Sequence, residues 1–224
     1  MELICNLVLV ILKFYKMNNL VTDLLTPKTN IQLKVGLYFG SYNPIHIGHL
    51  AIANYMVEFT EIDQLWFVVS PQNPFKKKVN LLDDYQRLEM VHRAIKGDDR
   101  LRASNIEFNL PKPSYTASTL AYLKDKHPKY QFVILMGSDN LENFHKWKNY
   151  KTIIENHGVI VYPRPGFDKS TVQSHENITF AENAPQMEIS SSFIRKSIQA
   201  GKDVRHFLPP KTWEYLEEMY FYRK

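Results

Sequence analysis

Short apolar runs alternate with longer amphipathic segments along the chain from Lys34 onward. The run over residues 64–70 reads QLWFVVS and has an unbroken apolar centre, which is typical of a strand buried on both faces. A later segment places Leu88, Val91 and Ile95 at helical spacing on one stripe. The pattern predicts strands over 33–39, 64–70, 101–108, 131–136 and 157–162, and short strands within 178–189. It predicts one helix that ends near residue 59, one that starts near residue 83, and three more over 115–126, 190–200 and 211–221.

Continuous apolar strands separated by helices indicate the fold class. Neither face of such a strand meets water, so the strands require a parallel sheet that helices cover on both sides. We therefore expect an α/β fold with a doubly wound parallel sheet, followed by a small C-terminal helical part. Ligands of such sheets bind where loops leave the carboxyl ends of the strands, and functional side chains are expected in those loops.

Composition limits the class of protein. The 224 residues, of which 44% are hydrophobic, supply enough apolar surface for one substantial domain and exclude a disordered chain. The lone Cys5 excludes a disulfide framework and a cysteine-rich zinc site, and it predicts a reducing, cytoplasmic location. The formal net charge of +5 favours anionic partners only modestly, so nucleotides and nucleic acid both stay open on this ground.

An apolar run near the N-terminus, LVLVIL over 7–12, has the character of a signal-peptide core but not its flanks. Glu2 precedes it without a basic region, no small-residue cleavage site follows, and a membrane-spanning helix needs about 20 apolar residues. We interpret residues 1–30 as an N-terminal extension of the reading frame, with Met17 as a candidate start. Residues 31–224 are expected to form the functional domain, and no membrane partner is expected.

The loop after the first predicted strand combines glycine, proline and two histidines. Gly40 and Pro44 predict a tight exit from the strand, and Gly48 allows the main chain to approach a ligand closely. His46 and His49 lie three residues apart where the next helix begins. Free N–H groups and the positive end of the helix dipole favour an anion there, and imidazoles donate hydrogen bonds to its oxygens. The alternative is a capped turn with two incidental histidines, but the joint pattern favours a phosphate site.

A second candidate anion site lies far downstream, in the segment ISSSFIR over 189–195. Its three hydroxyls, from Ser190, Ser191 and Ser192, stand at a predicted helix N-terminus, and Arg195 follows one turn later with a guanidinium suited to phosphate oxygens. The alternative is an ordinary serine N-cap beside a solvated arginine. We expect the two segments, about 140 positions apart, to fold together into one site for a triphosphate.

Both segments resemble signature motifs of the nucleotidyltransferase superfamily, which includes the class I aminoacyl-tRNA synthetases. Residues 40–49 (GSYNPIHIGH) are similar to its HxGH motif, and residues 189–195 are similar to its ISSTxxR motif, with Ser192 in the threonine position. The resemblance implies that His46 and His49 contact the ATP phosphates and stabilise charge during attack on the α-phosphate. It also implies that the serines and Arg195 grip the β- and γ-phosphates.

The first motif departs from the family in its leading residues. The family usually begins this loop Gly-Gly-Thr-Phe-Asp-Pro, whereas Phe39 stands here at the first glycine, Ser41 at the threonine, Tyr42 at the phenylalanine and Asn43 at the aspartate. Serine and tyrosine preserve the chemistry. Asn43 can still cap a turn but carries no charge, which argues against a metal contact through that position.

Five further segments narrow the resemblance to the nicotinate-nucleotide adenylyltransferase family, and the matches extend from about residue 34 to about residue 210. These segments are QNPFKKK over 72–78, PSYTASTL over 113–120, GSDNL over 137–141, FHKW over 144–147 and VYPRPG over 161–166. The resemblance implies that main-chain amides near Thr116 receive the nicotinate carboxylate, that Trp147 stacks on the pyridine ring, and that Asp139 contacts nucleotide hydroxyls. Taken alone, the lysines fit a solvated basic loop and Trp147 fits a core aromatic.

The family resemblance thus implies three groups of site residues. The catalytic residues are His46, His49 and Arg195; the ATP contacts are Gly40, Ser41, Tyr42, Gly48, Gly137, Asp139, Ser190, Ser191 and Ser192; and the nicotinate mononucleotide contacts are Lys76, Tyr115, Thr116 and Trp147. The implied reaction is attack of nicotinate mononucleotide on ATP, which gives nicotinate adenine dinucleotide and pyrophosphate. Mg²⁺ is expected to bridge ATP oxygens largely through water, without a dedicated metal site in the protein.

Three other functions are alternatives to this one. Another adenylyl- or cytidylyltransferase, such as one acting on pantetheine phosphate, is disfavoured by Thr116 and Trp147. An aminoacyl-tRNA synthetase is disfavoured by the 224-residue length and by the lack of a KMSKS sequence. A binding module that senses dinucleotides or holds nucleic acid without turnover is disfavoured by the intact His46, His49 and Arg195, and no basic stripe laced with aromatics predicts a nucleic-acid partner. A homo-oligomer and the choice between nicotinate and nicotinamide substrates stay open.

Overall fold

Six parallel strands form one sheet in the part of the chain that this computed structural model describes, residues 32–71, 81–166 and 175–223. The strands are β1 (Leu33–Gly40), β2 (Gln64–Val69), β3 (Leu101–Ser104), β4 (Tyr130–Gly137), β5 (Val159–Tyr162) and β6 (Ile178–Phe180). They lie in the order β3-β2-β1-β4-β5-β6, and every neighbouring pair is parallel. The order reverses between β1 and β4, and this switch point is where such sheets bind ligands.

Helices cover both faces of the sheet. Their bounds are α1 (Ile47–Phe59), α2 (Asp84–Ile95), α3 (Thr116–Lys126), α4 (Ser138–Leu141), α5 (Tyr150–His157), α6 (Ser191–Gln199) and α7 (Pro210–Glu218). Met56 of α1 and Val91 of α2 are buried with Phe67 on one face of the sheet. Leu123 of α3 is buried with Trp66 on the other face. Adjacent residues of β2 therefore meet apolar layers on opposite sides, which confirms the predicted doubly wound α/β fold.

The C-terminal helices pack around a separate apolar cluster, whose buried members are Ile194, Ile198, Val204, Leu208, Leu216 and Phe221. Thr212 of α7 donates a hydrogen bond from its buried hydroxyl to the main-chain oxygen of Met90, 3.1 Å away, and so ties this cluster to α2. The predicted small C-terminal helical part is present. It brings the Ser190–Arg195 segment to the carboxyl end of the sheet.

Predicted and observed elements differ mainly at their ends. β3 stops at Ser104, because the chain then turns through a short 3₁₀ helix, Ile106–Asn109, that directs Glu107 inward. β5 starts at Val159 rather than at residue 157, because α5 runs through His157 and Gly158 adopts a left-handed conformation, with φ of 74°, between helix and strand.

Two further differences lie in the C-terminal half. The structure describes one strand of three residues, β6, in the range 178–189. The last helix ends at Glu218 instead of continuing to residue 221, because Tyr220 and Tyr222 adopt left-handed backbone conformations with φ of 53° and 61°.

The predicted start of α2 is confirmed in atomic detail. The Asp83 carboxylate accepts a hydrogen bond from the main-chain N–H of Tyr85 at 2.9 Å, and Gln86 Oε1 accepts one from the N–H of Asp83 at 3.3 Å. This reciprocal pair satisfies N–H groups that the first helical turn leaves without main-chain partners.

Some predictions lie outside the described residues. They concern the extension over residues 1–30 and Lys76, which belongs to the range 72–80. Within the three described ranges, no helix has both the length and the apolar character needed to cross a membrane.

Candidate active site

The main chain turns sharply where β1 ends at Gly40. Tyr42 has a φ of 45°, and its ring folds back over Gly40, where an added Cβ atom would lie 2.7 Å from the ring. The Tyr42 hydroxyl donates to the main-chain oxygen of Tyr38 at 2.5 Å. Tyr42 is 1% exposed, and its ring meets the His49 ring edge-on with 5.1 Å between centroids. Its side chain therefore supports His49, and the contact with ATP predicted at this position would fall to its main chain.

His46 and His49 form a close pair at the start of α1. His46 is the N-cap of the helix, and the centroids of the two rings lie 3.8 Å apart. The main-chain N–H of His46 donates a hydrogen bond to Nδ1 of His49 at 3.2 Å. Because Nδ1 of His49 accepts, the neutral ring carries its proton on Nε2. The helix start thus presents an imidazole N–H donor beside its own main-chain N–H groups.

Both imidazoles are neutral near pH 7. Burial, reinforced by the positive charge of Arg164, lowers the pKa of His46 to about 4. Burial, then the neighbouring His46 and Arg164, hold the pKa of His49 well below its usual range. Neutral imidazoles contribute hydrogen bonds rather than full charges. Positive charge at this site therefore comes from arginines and from the N-terminal end of the helix dipole.

The downstream serine and arginine segment contacts this loop directly. Ser191 donates from its hydroxyl to the main-chain oxygen of Pro44 at 2.8 Å. Arg195 donates from Nη1 to the main-chain oxygen of Asn43 at 2.7 Å and from Nη2 to the hydroxyl of Ser192 at 3.2 Å. The structure thus brings the two predicted anion-binding segments together on one side of the molecule, as expected.

Ser190 is a helix N-cap, as the alternative interpretation of this segment predicted. It is the N-cap of α6, and its hydroxyl oxygen accepts a hydrogen bond from the main-chain N–H of Phe193 at 3.1 Å. Ser190 and Ser192 are both exposed, whereas Arg195 is half-buried between its partners. A capped helix start and a phosphate site are compatible, because the N–H groups of the first turn point outward at the same place.

A second arginine, Arg164, stands beside the histidine pair and was given no role from the sequence. Its guanidinium lies 5.4 Å from the centroid of the Tyr162 ring, and it lines one small cleft with His46 and His49. Its main-chain N–H donates to the hydroxyl of Ser138 at 2.9 Å. The signal for Arg164 in the sequence was its place in the segment YPRPG over 162–166, just after a predicted strand.

Arg164 also reaches the loop that follows β4. Its Nε lies 3.8 Å from Oδ1 of the exposed Asp139. A Cβ atom on Gly137 would overlap Oδ1 of Asp139 and lie 3.2 Å from the same nitrogen, so a larger residue there would displace these side chains. Gly137 and Asp139, which are predicted ATP contacts, therefore lie next to Arg164, and Arg164 lines the cleft that contains the histidines.

The predicted mononucleotide contacts come from two loops. Tyr115 is the N-cap of α3 and Thr116 is its first residue, so the first-turn N–H groups of the helix begin there. Trp147 is half-buried, and its ring meets that of Phe144 edge-on with 5.1 Å between centroids. Nζ of Lys148 lies 4.7 Å from the centroid of the Tyr115 ring, which joins the two loops.

A buried carboxylate underlies the start of α3. Glu107 is 3% exposed and accepts hydrogen bonds from the hydroxyls of Thr119 at 2.9 Å and Ser114 at 3.3 Å. Burial raises its pKa, while hydrogen bonds from Ser70, Thr119 and Ser114 lower it and only partly compensate. Glu107 thus fixes the Ser114 loop against the end of β2. Sequence reasoning placed this residue in a strand and missed the role.

A buried arginine fixes the loop after β1. Arg87 of α2 is fully buried and donates to the main-chain oxygens of Ser41 at 2.5 Å, Ser70 at 2.9 Å and Leu82 at 3.1 Å, and to the carboxylate of Asp84 at 2.5 Å. It therefore joins the ends of β1 and β2 to the start of α2. The sequence signal for this role was the place of Arg87 on the apolar stripe of the predicted helix, where a charged residue needs buried partners.

The described residues offer no protein cage for a metal ion. Across residues 32–71, 81–166 and 175–223, no group of three or more His, Cys, Asp or Glu side chains is arranged to hold one. Asn43, at the position where the resembled family has an aspartate, is 1% exposed and its Oδ1 accepts hydrogen bonds from Tyr222 and from the N–H of Leu82.

Comparison with known proteins assigns this fold to a class. The family model described as cytidylyltransferase-like matches residues 37–197, a range that contains both predicted anion-binding segments. In solved structures, the chain is similar to the Plasmodium falciparum nicotinic acid mononucleotide adenylyltransferase complexed with NaAD, with a TM-score of 0.69 and 19% identity over 84% of this chain and 97% of that one. The fold is that of the cytidylyltransferase-like nucleotidyltransferases.

Closer relatives define the family. A protein of Flavobacterium johnsoniae is 53% identical over 194 residues, which are 86% of this chain and 100% of that protein. One from Cytophaga hutchinsonii is 45% identical over 85% of this chain and 98% of its own length, and both carry the name nicotinate-nucleotide adenylyltransferase. The chain belongs to the nicotinate-nucleotide adenylyltransferase family.

Proposed function

We propose that this protein transfers the adenylyl group of ATP to the phosphate of nicotinate mononucleotide, giving nicotinate adenine dinucleotide and pyrophosphate. The observation that carries the proposal is the hydrogen-bonded contact between the loop before α1 and the start of α6, where Arg195 meets Asn43 and Ser191 meets Pro44. This contact supports the proposal because it brings two helix N-termini, two imidazoles and a guanidinium to one side of the molecule, and these are the kinds of donor that bind phosphate oxygens.

The chemistry needs no covalent enzyme intermediate. A phosphate oxygen of the mononucleotide attacks the α-phosphorus of ATP in line with the bond to the β-phosphate. One P–O bond forms, one breaks, and the bonding electrons leave with pyrophosphate. Catalysis then rests on holding the two substrates in line and on stabilising the negative charge of the transition state and the leaving group.

The histidines and the arginines divide this work. His49, neutral with its proton on Nε2, donates a hydrogen bond to a phosphate oxygen at the reacting centre, and His46 lies against it at the helix start. Arg195 and the first turn of α6 hold the β- and γ-phosphates. Arg164, next to both histidines, adds positive charge close to the α-phosphate.

The mononucleotide is held by the start of α3 and by Trp147, which pack on the face of the sheet opposite α1. The N–H groups at the start of α3, near Tyr115 and Thr116, receive the nicotinate carboxylate, because helix N-termini favour anions. Trp147 stacks on the pyridine ring, which a half-buried indole against Phe144 can do with its exposed part. Asp139, exposed after the end of β4, belongs instead to the ATP contacts and accepts hydrogen bonds from hydroxyls of that nucleotide.

Magnesium enters as part of the substrate. ATP carries its Mg²⁺ on phosphate oxygens and water, which suits a site whose described residues lack a cluster of acidic ligands. We also propose a cytoplasmic enzyme without a nucleic-acid partner. The single cysteine fits a reducing compartment, and two small substrates account for the modest basic excess.

One assay tests the proposal. Purified protein is incubated with ATP, Mg²⁺ and either nicotinate or nicotinamide mononucleotide, and pyrophosphate release and dinucleotide formation are followed together. We expect both products with nicotinate mononucleotide. Dinucleotide formed only from the nicotinamide substrate would refute the proposed acceptor, and no turnover with either would favour a module that binds nucleotides without reaction.

A further inference from the structure

The C-terminal end of the chain reaches the loop that holds Arg195. Tyr222 donates a hydrogen bond from its hydroxyl to Oδ1 of Asn43 at 2.6 Å, across 179 positions of sequence. Asn43 in turn offers its main-chain oxygen to Nη1 of Arg195 at 2.7 Å. A continuous path of two short hydrogen bonds therefore links a tail tyrosine to the arginine on which the proposed grip on ATP depends.

We infer that Tyr222 is a positioning residue for the bound triphosphate. Its hydroxyl fixes the side chain of Asn43, and the main-chain oxygen of Asn43 orients the guanidinium of Arg195. This inference rests on the proposed function, because it takes Arg195 as the residue that holds the β- and γ-phosphates. It assigns a role in the active site to a segment that lies after the last helix and carries neither signature motif.

The tail is built to bring Tyr222 back to the site. Phe221 is buried in the C-terminal apolar cluster, and its N–H donates to the main-chain oxygen of Leu216 at 3.1 Å. The residues on either side of it, Tyr220 and Tyr222, have φ of 53° and 61°. Non-glycine residues adopt this conformation only where surrounding contacts hold them in it, and such residues gather at functional sites.

The surroundings of the phenol keep it a donor. Burial raises the pKa of Tyr222 well above its ordinary value, and the positive charges of Arg195 and Arg87 lower it by less. The hydroxyl stays protonated at any physiological pH and donates to the Asn43 amide oxygen. Asn43 is 1% exposed and also accepts from the N–H of Leu82 at 3.3 Å, so its orientation is fixed from two sides.

The guanidinium gains a defined plane from these contacts. One N–H of Nη1 binds Asn43 and one N–H of Nη2 binds Ser192, and each of these nitrogens carries a second N–H. A planar group held at two atoms presents its remaining donors in a fixed direction, which suits bidentate contact with phosphate oxygens. Loss of the Tyr222 hydroxyl would leave Asn43 less firmly held, and the N–H donors of Arg195 would then no longer point in one fixed direction.

The test compares Tyr222→Phe with Tyr220→Phe. Both remove one hydroxyl, two residues apart, but Tyr220 is 72% exposed and its ring lies against Arg223, away from Asn43. We expect Tyr222→Phe to lower kcat/KM for ATP about tenfold, mainly through KM for ATP, and to leave KM for the mononucleotide within about twofold. Tyr220→Phe should match the wild type. An unchanged KM for ATP, or equal rises in both KM values with a lower Tm, would overturn the inference.

A double-mutant cycle tests whether the effect passes through Arg195. In an Arg195→Ala background, Tyr222→Phe should change the affinity for ATP less than about twofold, because the group that it positions is gone. A full effect in that background would overturn the inference. If Tyr222→Phe fails to fold, Asn43→Ala removes the acceptor instead and should reproduce the loss that is selective for ATP; an equal loss for both substrates counts against the role.

The affinity for ATP, measured by titration calorimetry, needs no turnover and separates this inference from the proposed function. Wild-type protein that forms no dinucleotide would refute the function. The comparison of ATP affinities between Tyr222→Phe and Tyr220→Phe would still decide the role of Tyr222, since it depends only on how Arg195 meets the phosphates.

Discussion

The main-chain N–H of His46 donates a hydrogen bond to Nδ1 of His49, with 3.2 Å between the nitrogens. This bond selects the tautomer of His49 that has its proton on Nε2. It also anchors the ring to the first turn of α1, so that the donor and the helix N–H groups keep one relative position. The two histidines, three residues apart, thus hold an imidazole donor in a fixed direction, as the proposed contact with phosphate oxygens requires.

His49→Ala should lower kcat by about 10²- to 10³-fold, the usual effect of removing one donor that stabilises transition-state charge. Steady-state pyrophosphate release measures this loss. The melting temperature should change little, because the half-buried ring lies at the edge of the core.

His92→Ala is the matched control for that variant. His92 is exposed on α2, and its replacement should leave kcat and Tm at wild-type values. A large drop in Tm for His49→Ala, with kcat preserved in the folded fraction, would show that His49 is a structural residue.

Trp147→Ala should raise KM for nicotinate mononucleotide at least about tenfold and leave KM for ATP nearly unchanged, because only the pyridine ring loses a stacking surface. Separate titrations of the two substrates measure the difference. Tyr122→Ala, which removes an exposed aromatic ring on the outer surface of α3, is the control and should affect neither constant. Equal changes for the two substrates would contradict the stacking role.

Stability should fall as the pH drops from about 6.5 to about 4, and burial of His46 is one cause. Its pKa is lowered to about 4 in the folded protein, whereas the unfolded chain binds the proton near its ordinary pKa of 6.5. Between these values only the unfolded state is protonated, which removes about 1.4 kcal/mol of stability per pH unit for this group. Above pH 6.5 both states are neutral and this contribution does not vary.

Urea unfolding of the wild type and of His46→Gln at pH 7.0, 6.0 and 5.0 tests that linkage. The variant cannot bind the proton in either state, so its free energy of unfolding should decline less steeply below pH 6.5. His49, whose pKa is also lowered by burial, supplies part of the remaining slope. Identical slopes for the two proteins would mean that His46 titrates alike in both states.

Arg87→Ala should destabilise the protein by about 3–5 kcal/mol, because it leaves the Asp84 carboxylate and three main-chain oxygens without a buried partner. Arg93→Ala on the same helix is the control. Arg93 has a side chain 34% exposed that pairs with Glu89 and Glu218 at the surface, so its loss should cost less than about 1 kcal/mol. Equal losses in the free energy of unfolding, measured with denaturant, would contradict the role of Arg87 as the buried residue that joins the ends of β1 and β2 to α2.

The order of strands and helices follows from the sequence alone. Runs such as QLWFVVS fit a strand buried on both faces, and the Asp83 and Gln86 pair marks the start of α2, since both signals act between near neighbours. The ends of several elements do not follow from such local signals. The end of β3 depends on Glu107 reaching Ser114 and Thr119, which are several residues further along the chain.

The two predicted anion-binding segments were also visible in the sequence, because a helix N-terminus with histidines or serines is a local pattern of residue types. Only the tertiary structure decided that Arg195 meets Asn43, that Arg164 stands beside the histidines, and that Tyr222 returns to the same loop. Hydrogen bonds between residues up to 179 positions apart leave no spacing signal in a chain, because they form only after the sheet and the C-terminal helices have packed.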